Sequence, residues 1–296
     1  MSIQAETIAQ IKWSLLTEPG DQDAGELINR IGAEEALARF IEGDAEQHGV
    51  PAHAVTRWAI RLPNITPEAI EEVLAATRAA DAKIIDPSRY EGLNDLGNHA
   101  PRVLWLKGDE TALDAPKSLA VTGARAATGY GEHVAAEFAA ELAGKGVTIH
   151  SGAAYGIDGA AHRAALSVGG ATVAWLASGI NRPYPAGHAH LIDTISSAPG
   201  SALLSENAPG TPPTRWRFLA RNRLIAAATT GTLVVEAGYR SRSLNTAGHA
   251  LALGRNLGAV PGPITSPASS GCHRLIREHG AQIITTADEA ATLTQD

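Results

Sequence analysis

A chain of 296 residues with 44% hydrophobic and 19% charged side chains has an ordinary globular composition, long enough for one large domain and a smaller one. Its single cysteine, Cys272, excludes a disulfide framework and a cysteine-based zinc site. No apolar run has the length of a membrane span and the start lacks a basic-then-apolar signal, so a reducing, cytoplasmic setting away from the membrane is expected.

The net charge of −7 argues against a nucleic-acid partner only as an average. Residues 1–100 carry a balance of −9 and residues 101–296 a balance of +2. The window Arg215–Arg242 holds six arginines against one acid, Glu236.

In chain order, residues 1–85 read as short acidic helices, at Glu6–Leu16, Ala24–Ile31, Glu34–Glu42, Pro51–Arg61 and Pro67–Ala80, with breaks at Gly and Pro. They suggest a small SAM-like or helix-hairpin-helix domain, whose acidity suits packing or protein contact better than DNA. From residue 86 the chain changes character. Val103–Leu106 is an added strand with Trp105 in the core, and from Leu119 strands and helices alternate. Strands are predicted at Leu119–Thr122, Val147–Ser151, Thr172–Leu176, Ala202–Ser205, Thr232–Glu236, Leu257–Val260 and Gln282–Ile284. Helices fill the gaps, at Glu132–Ala143, Ile157–Ser167, Gly187–Ser196, Arg217–Ala228, Asn245–Leu253 and Cys272–Glu278. Near-continuous apolar strands between amphipathic helices mark an α/β fold with a mainly parallel sheet covered on both faces.

Two glycine-rich turns stand where strands give way to helices: Gly123-Ala-Arg125 through Thr128-Gly-Tyr-Gly131, and Ser151-Gly152 through Gly156-Ile-Asp158 to His162. At such points backbone N–H groups lack intrahelical partners and the helix dipole favours an anion. The spacing is neither a dinucleotide fingerprint nor a P-loop. Arg125 either closes over an anion or is an exposed residue on a tight turn. Asp158 and His162, one helical turn apart, read as an acid/base pair or as a cap Asp with a His bonded to it or to a nearby loop. The second is preferred, because no third ligand or nucleophile stands at sensible spacing.

Further along, Tyr184 offers a base-stacking face or a packing ring, and Glu206 is placed to pair with an arginine of the next segment. Arg215-Trp-Arg217-Phe-Leu-Ala-Arg221-Asn222-Arg223 then interleaves arginines with aromatics and includes no acid, the composition wanted for single-strand backbone neutralisation and base stacking. Asp158, Glu206 and Glu236 come from different strand ends, so loop amides and arginines are better partners for them than a metal. No metal or cofactor is expected.

The ordered set Gly123-Ala-Arg125, Thr128-Gly-Tyr-Gly131, Ser151-Gly…Gly-Ile-Asp158…Ala-His162, Tyr184-Pro185, Ser205-Glu206, Arg221-Asn-Arg223, Val235-Glu-Ala237, Ser243-Leu…Thr246-Ala247 and Val260-Pro-Gly262 resembles the DNA-processing protein A (DprA, or Smf) family. The resemblance covers roughly Lys83 to Ala281. It implies an extended Rossmann-like domain over residues 86–296 that binds single-stranded DNA and works as a homodimer. The implied role is that of a non-catalytic mediator, protecting incoming DNA in natural transformation and loading RecA for homologous recombination. Matching pocket positions are Gly123, Arg125, Ser151, Gly152, Arg221, Asn222 and Arg223, with Arg215 and Arg217 in the same basic segment. Departures are Ala124 for the common Ser, Tyr155 where small or basic residues are frequent, and Arg242 where Gly usually separates two serines. The winged helix that ends many members is expected to be absent. A competing reading is a nucleoside-monophosphate phosphoribohydrolase, whose Gly-Thr…Glu motif is similar to Gly231-Thr232…Glu236. Here Ala228-Thr-Thr replaces the Pro-Gly-Gly that should precede it.

Overall fold

The computed structural model describes residues 5–295. Five helices come first: α1 (Ala5–Leu16), α2 (Gln22–Ile31), α3 (Ala33–Glu42), α4 (Ala52–Ala59) and α5 (Pro67–Ala79). Their starts follow local chemistry. The Asp21 carboxylate accepts from the Ala24 amide, and Thr66 caps α5 with Pro67 at its first position. Their common core is an aromatic cluster in which Trp13 and Trp58 meet edge to face at 5.1 Å and Phe40 and Trp58 at 5.6 Å. Both indole N–H groups are satisfied, by the Ala33 carbonyl and by Asp21.

A nine-stranded sheet follows. Its elements are β1 (Lys83–Ile85), α6 (Glu91–Asn94), β2 (Leu104–Gly108), β3 (Ser118–Thr122), α7 (Gly129–Gly144), β4 (Thr148–Ser151), α8 (Ile157–Ser167) and β5 (Thr172–Trp175). They continue with α9 (Ala189–Ser197), β6 (Ala202–Ser205), α10 (Arg215–Ala227), β7 (Gly231–Val234), α11 (Ser243–Ala252), β8 (Asn256–Ala259), α12 (Ser270–His279), β9 (Gln282–Ile283) and α13 (Ala287–Thr292). The strand order is β1-β2-β6-β5-β4-β3-β7-β8-β9. All neighbours from β6 to β9 are parallel, while β2 runs antiparallel to β6 and β1 antiparallel to β2. This is a Rossmann-like arrangement extended at both edges.

Residues of the central strands β3 to β7 are buried on both sides, as their continuous apolar runs require. One face packs Leu119, Val121, Ile149 and Leu233 under α7, α8 and α13. The other packs Ala120, Val173 and Trp175 under α10, and Val234 and Ala259 under α11 and α12. The chain therefore winds one way from β3 and the other way from β7, and the reversal falls between these two adjacent strands.

The first helices are not a detached bead. Ile11 of α1 and Ile70, Val73 and Leu74 of α5 share a core with Trp105, Ile192 and Leu203. The Trp105 N–H reaches Thr77 Oγ1 at 3.0 Å. The segment Lys83–Ile85, on the helical side of the expected division, is the outer strand of the sheet, because its backbone pairs with Leu104–Leu106. Several helices also start earlier than predicted, α7 by three residues and α10 and α11 by two. Thr214 accepts from the Arg217 amide and starts α10 at Arg215, which puts Trp216 in the first turn; α11 begins at Ser243.

Candidate functional site

At the reversal between β3 and β7 the loops leaving the strands' carboxyl ends diverge to opposite faces, and the gap they leave is the usual ligand position in such a sheet. A cavity of about 470 Å³ occupies it. Thr122, Gly123, Ala124 and Arg125 come from the end of β3, Ala154 and Asp158 from the end of β4, and Phe218, Arg221 and Asn222 from α10. Arg240, Ser241, Arg242, Ser243 and Thr246 close the remaining side. The volume falls in the range of small-ligand sites.

The glycine turns leading into both helices are already bonded to the protein's own carboxylates. Glu236, only 2% exposed, accepts from the Thr128 amide at 2.8 Å and from the Thr128 hydroxyl at 2.7 Å, at the head of α7. A Cβ on Gly131 would lie 2.6 Å from that carboxylate, so the glycine makes room for an internal anion. At the head of α8, Asp158 accepts from the Gly152 amide at 3.2 Å, from the Ala154 amide at 3.4 Å and from the Thr122 hydroxyl at 3.1 Å. The expectation that the backbone donors of Gly152 hold a phosphate is thus corrected. Ser151 is corrected with it: fully buried, it donates its hydroxyl to the Val121 carbonyl at 2.6 Å. Gly123 is needed for close packing, since a Cβ there would meet Ile157 at 2.5 Å.

Positive charge in the cavity comes instead from side chains. Arg221 is only 3% exposed and forms the floor. It donates to the Trp175 carbonyl, its Nε has no partner, and it enters no salt bridge among the described residues. Burial pushes its pKa down to about 10, against the favourable charge of Asp158 and together with the unfavourable charge of Arg125. A buried guanidinium without an ion-pair partner is costly unless an anion arrives. Arg125, Arg240 and Arg242 are exposed around the rim. Arg125 lies 4.6 Å over the Phe218 ring, and Tyr184 packs on the same ring at 5.4 Å, so a cation and two aromatic rings form one layer at the mouth. Asn222 donates to Asn245 at 3.1 Å and ties α10 to α11.

The remaining predicted residues divide. Arg215 is exposed beside Trp216 in the first turn of α10. Arg217 is bound by Glu18 of the helical segment, at 3.2 and 3.1 Å. Arg223 does not face solvent. It is sealed against Glu206 by two bonds of 2.6 and 2.5 Å, with Nε on the His99 carbonyl at 2.8 Å. Its assignment as a strand-tracking residue is corrected: the apolar turn formed by Leu224 and Ile225 draws that helix face inward, and the expected pairing of Glu206 consumes the charge. His162 bonds neither Asp158 nor a loop but Thr172 Oγ1, at 2.7 Å, in the core. Tyr155 stands on His188 at 4.7 Å, outside the cavity lining. Sequence reasoning counted Arg240 without singling it out. Its signal was the Arg-x-Arg spacing with Arg242 on one loop.

The DNA recombination-mediator protein A family model matches residues 83–295. This chain belongs to that family. Over 193 residues this family member is 57% identical to the putative DNA processing protein DprA of Mycobacterium tuberculosis, covering 64% of this chain and 49% of that protein. Over 189 residues it is 46% identical to protein Smf of Escherichia coli, covering 64% and 50%. The chain therefore spans about half the length of these curated relatives. The crystal structure of DNA processing protein A from Streptococcus pneumoniae superposes over the full length of both chains, with a TM-score of 0.73 and 29% identity. That from Helicobacter pylori, described for its single-stranded DNA binding mode, covers 71% of this chain and 94% of that one, with a TM-score of 0.64 and 28% identity. No helix among the described residues is long and apolar enough to cross a membrane.

Proposed function

We propose that this family member binds single-stranded DNA at the β3–β7 cavity as a non-catalytic recombination mediator. It would protect incoming strands in natural transformation, pass them to a RecA-type recombinase and work as a homodimer. The observation that carries the reading is the cavity's charge pattern. Arg221 lies buried without an ion-pair partner among the described residues, under Arg125, Arg240 and Arg242, while the adjacent glycine turns are bonded to Glu236 and Asp158. Phosphate attraction then falls to arginine side chains arrayed along an open rim, which suits a polyanion threading past better than one nucleotide clasped by backbone amides. Tyr184 and Trp216 supply exposed ring faces for unstacked bases.

The phosphoribohydrolase reading is disfavoured at one residue. Its Glu, here Glu236, is 2% exposed and turned onto Thr128 through both oxygens, so it is not presented to a substrate. The test is binding of single- and double-stranded oligonucleotides across a salt series, with free adenine monitored after incubation with AMP. Single-strand binding that weakens steeply with salt, without adenine release, is expected. A sample that ignores single strands in dilute buffer, or that liberates adenine, overturns the proposal. Acceleration of RecA filament formation on a coated strand tests the mediator role.

A further inference from the structure

Arg217 differs from the other arginines near the cavity in that its charge is already answered. It stands in the first turn of α10, next to Trp216, which is 61% exposed, and to Phe218 of the cavity mouth. Its Nε donates to Glu18 Oε2 at 3.2 Å, its Nη2 to Glu18 Oε1 at 3.1 Å and its Nη1 to the Pro212 carbonyl at 2.9 Å. Glu18 lies just beyond α1, so one carboxylate of the acidic helical segment grips one arginine of the basic segment. A two-oxygen grip on a guanidinium is also how the non-bridging oxygens of a phosphodiester are held.

Two further observations make this contact exchangeable. The Arg217 and Glu18 side chains are 16% and 33% exposed, whereas the Arg223–Glu206 pair is sealed at 5% and 4%. Water and a competing anion therefore reach the first pair and not the second. Glu18 is also bonded by Arg61 of its own segment. If Arg217 leaves, the carboxylate keeps a cation and no uncompensated charge remains. The usual penalty for breaking an ion pair by losing one partner is absent.

Resting on the single-strand reading, we propose that Glu18 is a built-in phosphate substitute that makes binding depend on strand length. A strand short enough to fill only the cavity leaves the Glu18–Arg217 pair closed. One long enough to continue past Trp216 displaces Glu18 and gains Arg217 as a further phosphate contact. The acidic helical segment thereby takes a part in DNA selection without touching DNA.

The test is fluorescence anisotropy on the full chain with oligothymidylates of about six and about twenty nucleotides, lengths that bracket common single-strand site sizes. Glu18→Ala should tighten the longer strand about three-fold at low salt, the scale of one exposed ion pair, and leave the shorter one unchanged. Arg217→Ala should weaken the longer strand, lower its log–log salt slope by about 0.7 and abolish the gain from Glu18→Ala in the double variant. Glu18→Gln, which keeps the side chain's shape, provides the same comparison if the alanine variant misfolds. Equal tightening of both lengths would mean a general loss of negative charge and overturns the proposal. So does unchanged or weaker long-strand binding by a variant with wild-type melting temperature, and in that case single-strand binding by the cavity still stands. Failure of the unmodified protein to bind either strand removes both readings.

Discussion

Adding one methyl group at Gly152 attacks the floor of the cavity. A Cβ built there lies 2.3 Å from both Nη1 and Nη2 of Arg221 and 2.5 Å from Cζ. The guanidinium packs against Gly152 beneath the cavity, so an added methyl forces it to shift. It must give up its bond to the Trp175 carbonyl, worth about 1.5–3 kcal/mol for a charged donor, or crowd its neighbours at about 1–3 kcal/mol. Gly152→Ala should therefore lose about 2–3 kcal/mol of stability. Differential scanning calorimetry should record this as a melting temperature lower by about 3–5 °C. Oligonucleotide affinity should fall as well, because the displaced cation no longer faces the cavity. The second arm is Arg221→Met, which removes the clashing atoms. In that background Gly152→Ala should cost far less, a coupling between touching residues that a double-mutant cycle measures directly. If Gly152→Ala melts like the parent, or costs the same with and without Arg221, the packing of guanidinium on glycine is not what shapes the floor.

Other perturbations reach different parts of the molecule. Glu206→Gln leaves the buried Arg223 charge without its carboxylate and should cost about 3–5 kcal/mol in urea unfolding; an unchanged midpoint would refute the sealed pair. His150 and His162 are fully enclosed and burial pushes both pKa values down to about 3, from the ordinary 6.5. Each is neutral when folded and binds a proton below pH 6.5 once unfolded. Stability should thus be fully present above pH 6.5 and fall toward pH 3, by about 4 kcal/mol for the pair at pH 5. Equal urea midpoints at pH 7 and pH 5 would contradict this. Arg125→Ala and Arg240→Ala should each weaken single-strand binding about equally for all sequences and lower the salt slope by about 0.7, read by anisotropy across a salt series. A sequence-selective loss would mean base readout instead.

Periodicity and turn chemistry made most of the secondary structure legible. The helix at Ile157–Ser167 and the strand at Ala202–Ser205 fall where the apolar spacing puts them, and the other sheet strands lie within a residue or two. Short elements escaped because they carry no period: α6 has four residues and α13 six. Caps moved two boundaries, since the Thr128 and Thr214 hydroxyls start helices that hydrophobicity alone places later.

The site was harder to read for a different reason. The sequence by itself determined which residue types gather at the strand ends: glycines that allow close approach, acids that follow strands, arginines beside aromatics. Only the tertiary structure decided how those charges are spent. Glu236 comes from beyond β7 to hold Thr128 at the head of α7, Glu206 from the end of β6 to seal Arg223, and Glu18 reaches across 199 residues to hold Arg217. Arg221 alone in its segment is buried without an ion-pair partner among the described residues. Whether a charge is neutralised depends on what lies within a few ångströms of it in space, and local sequence spacing carries no information about partners so distant along the chain.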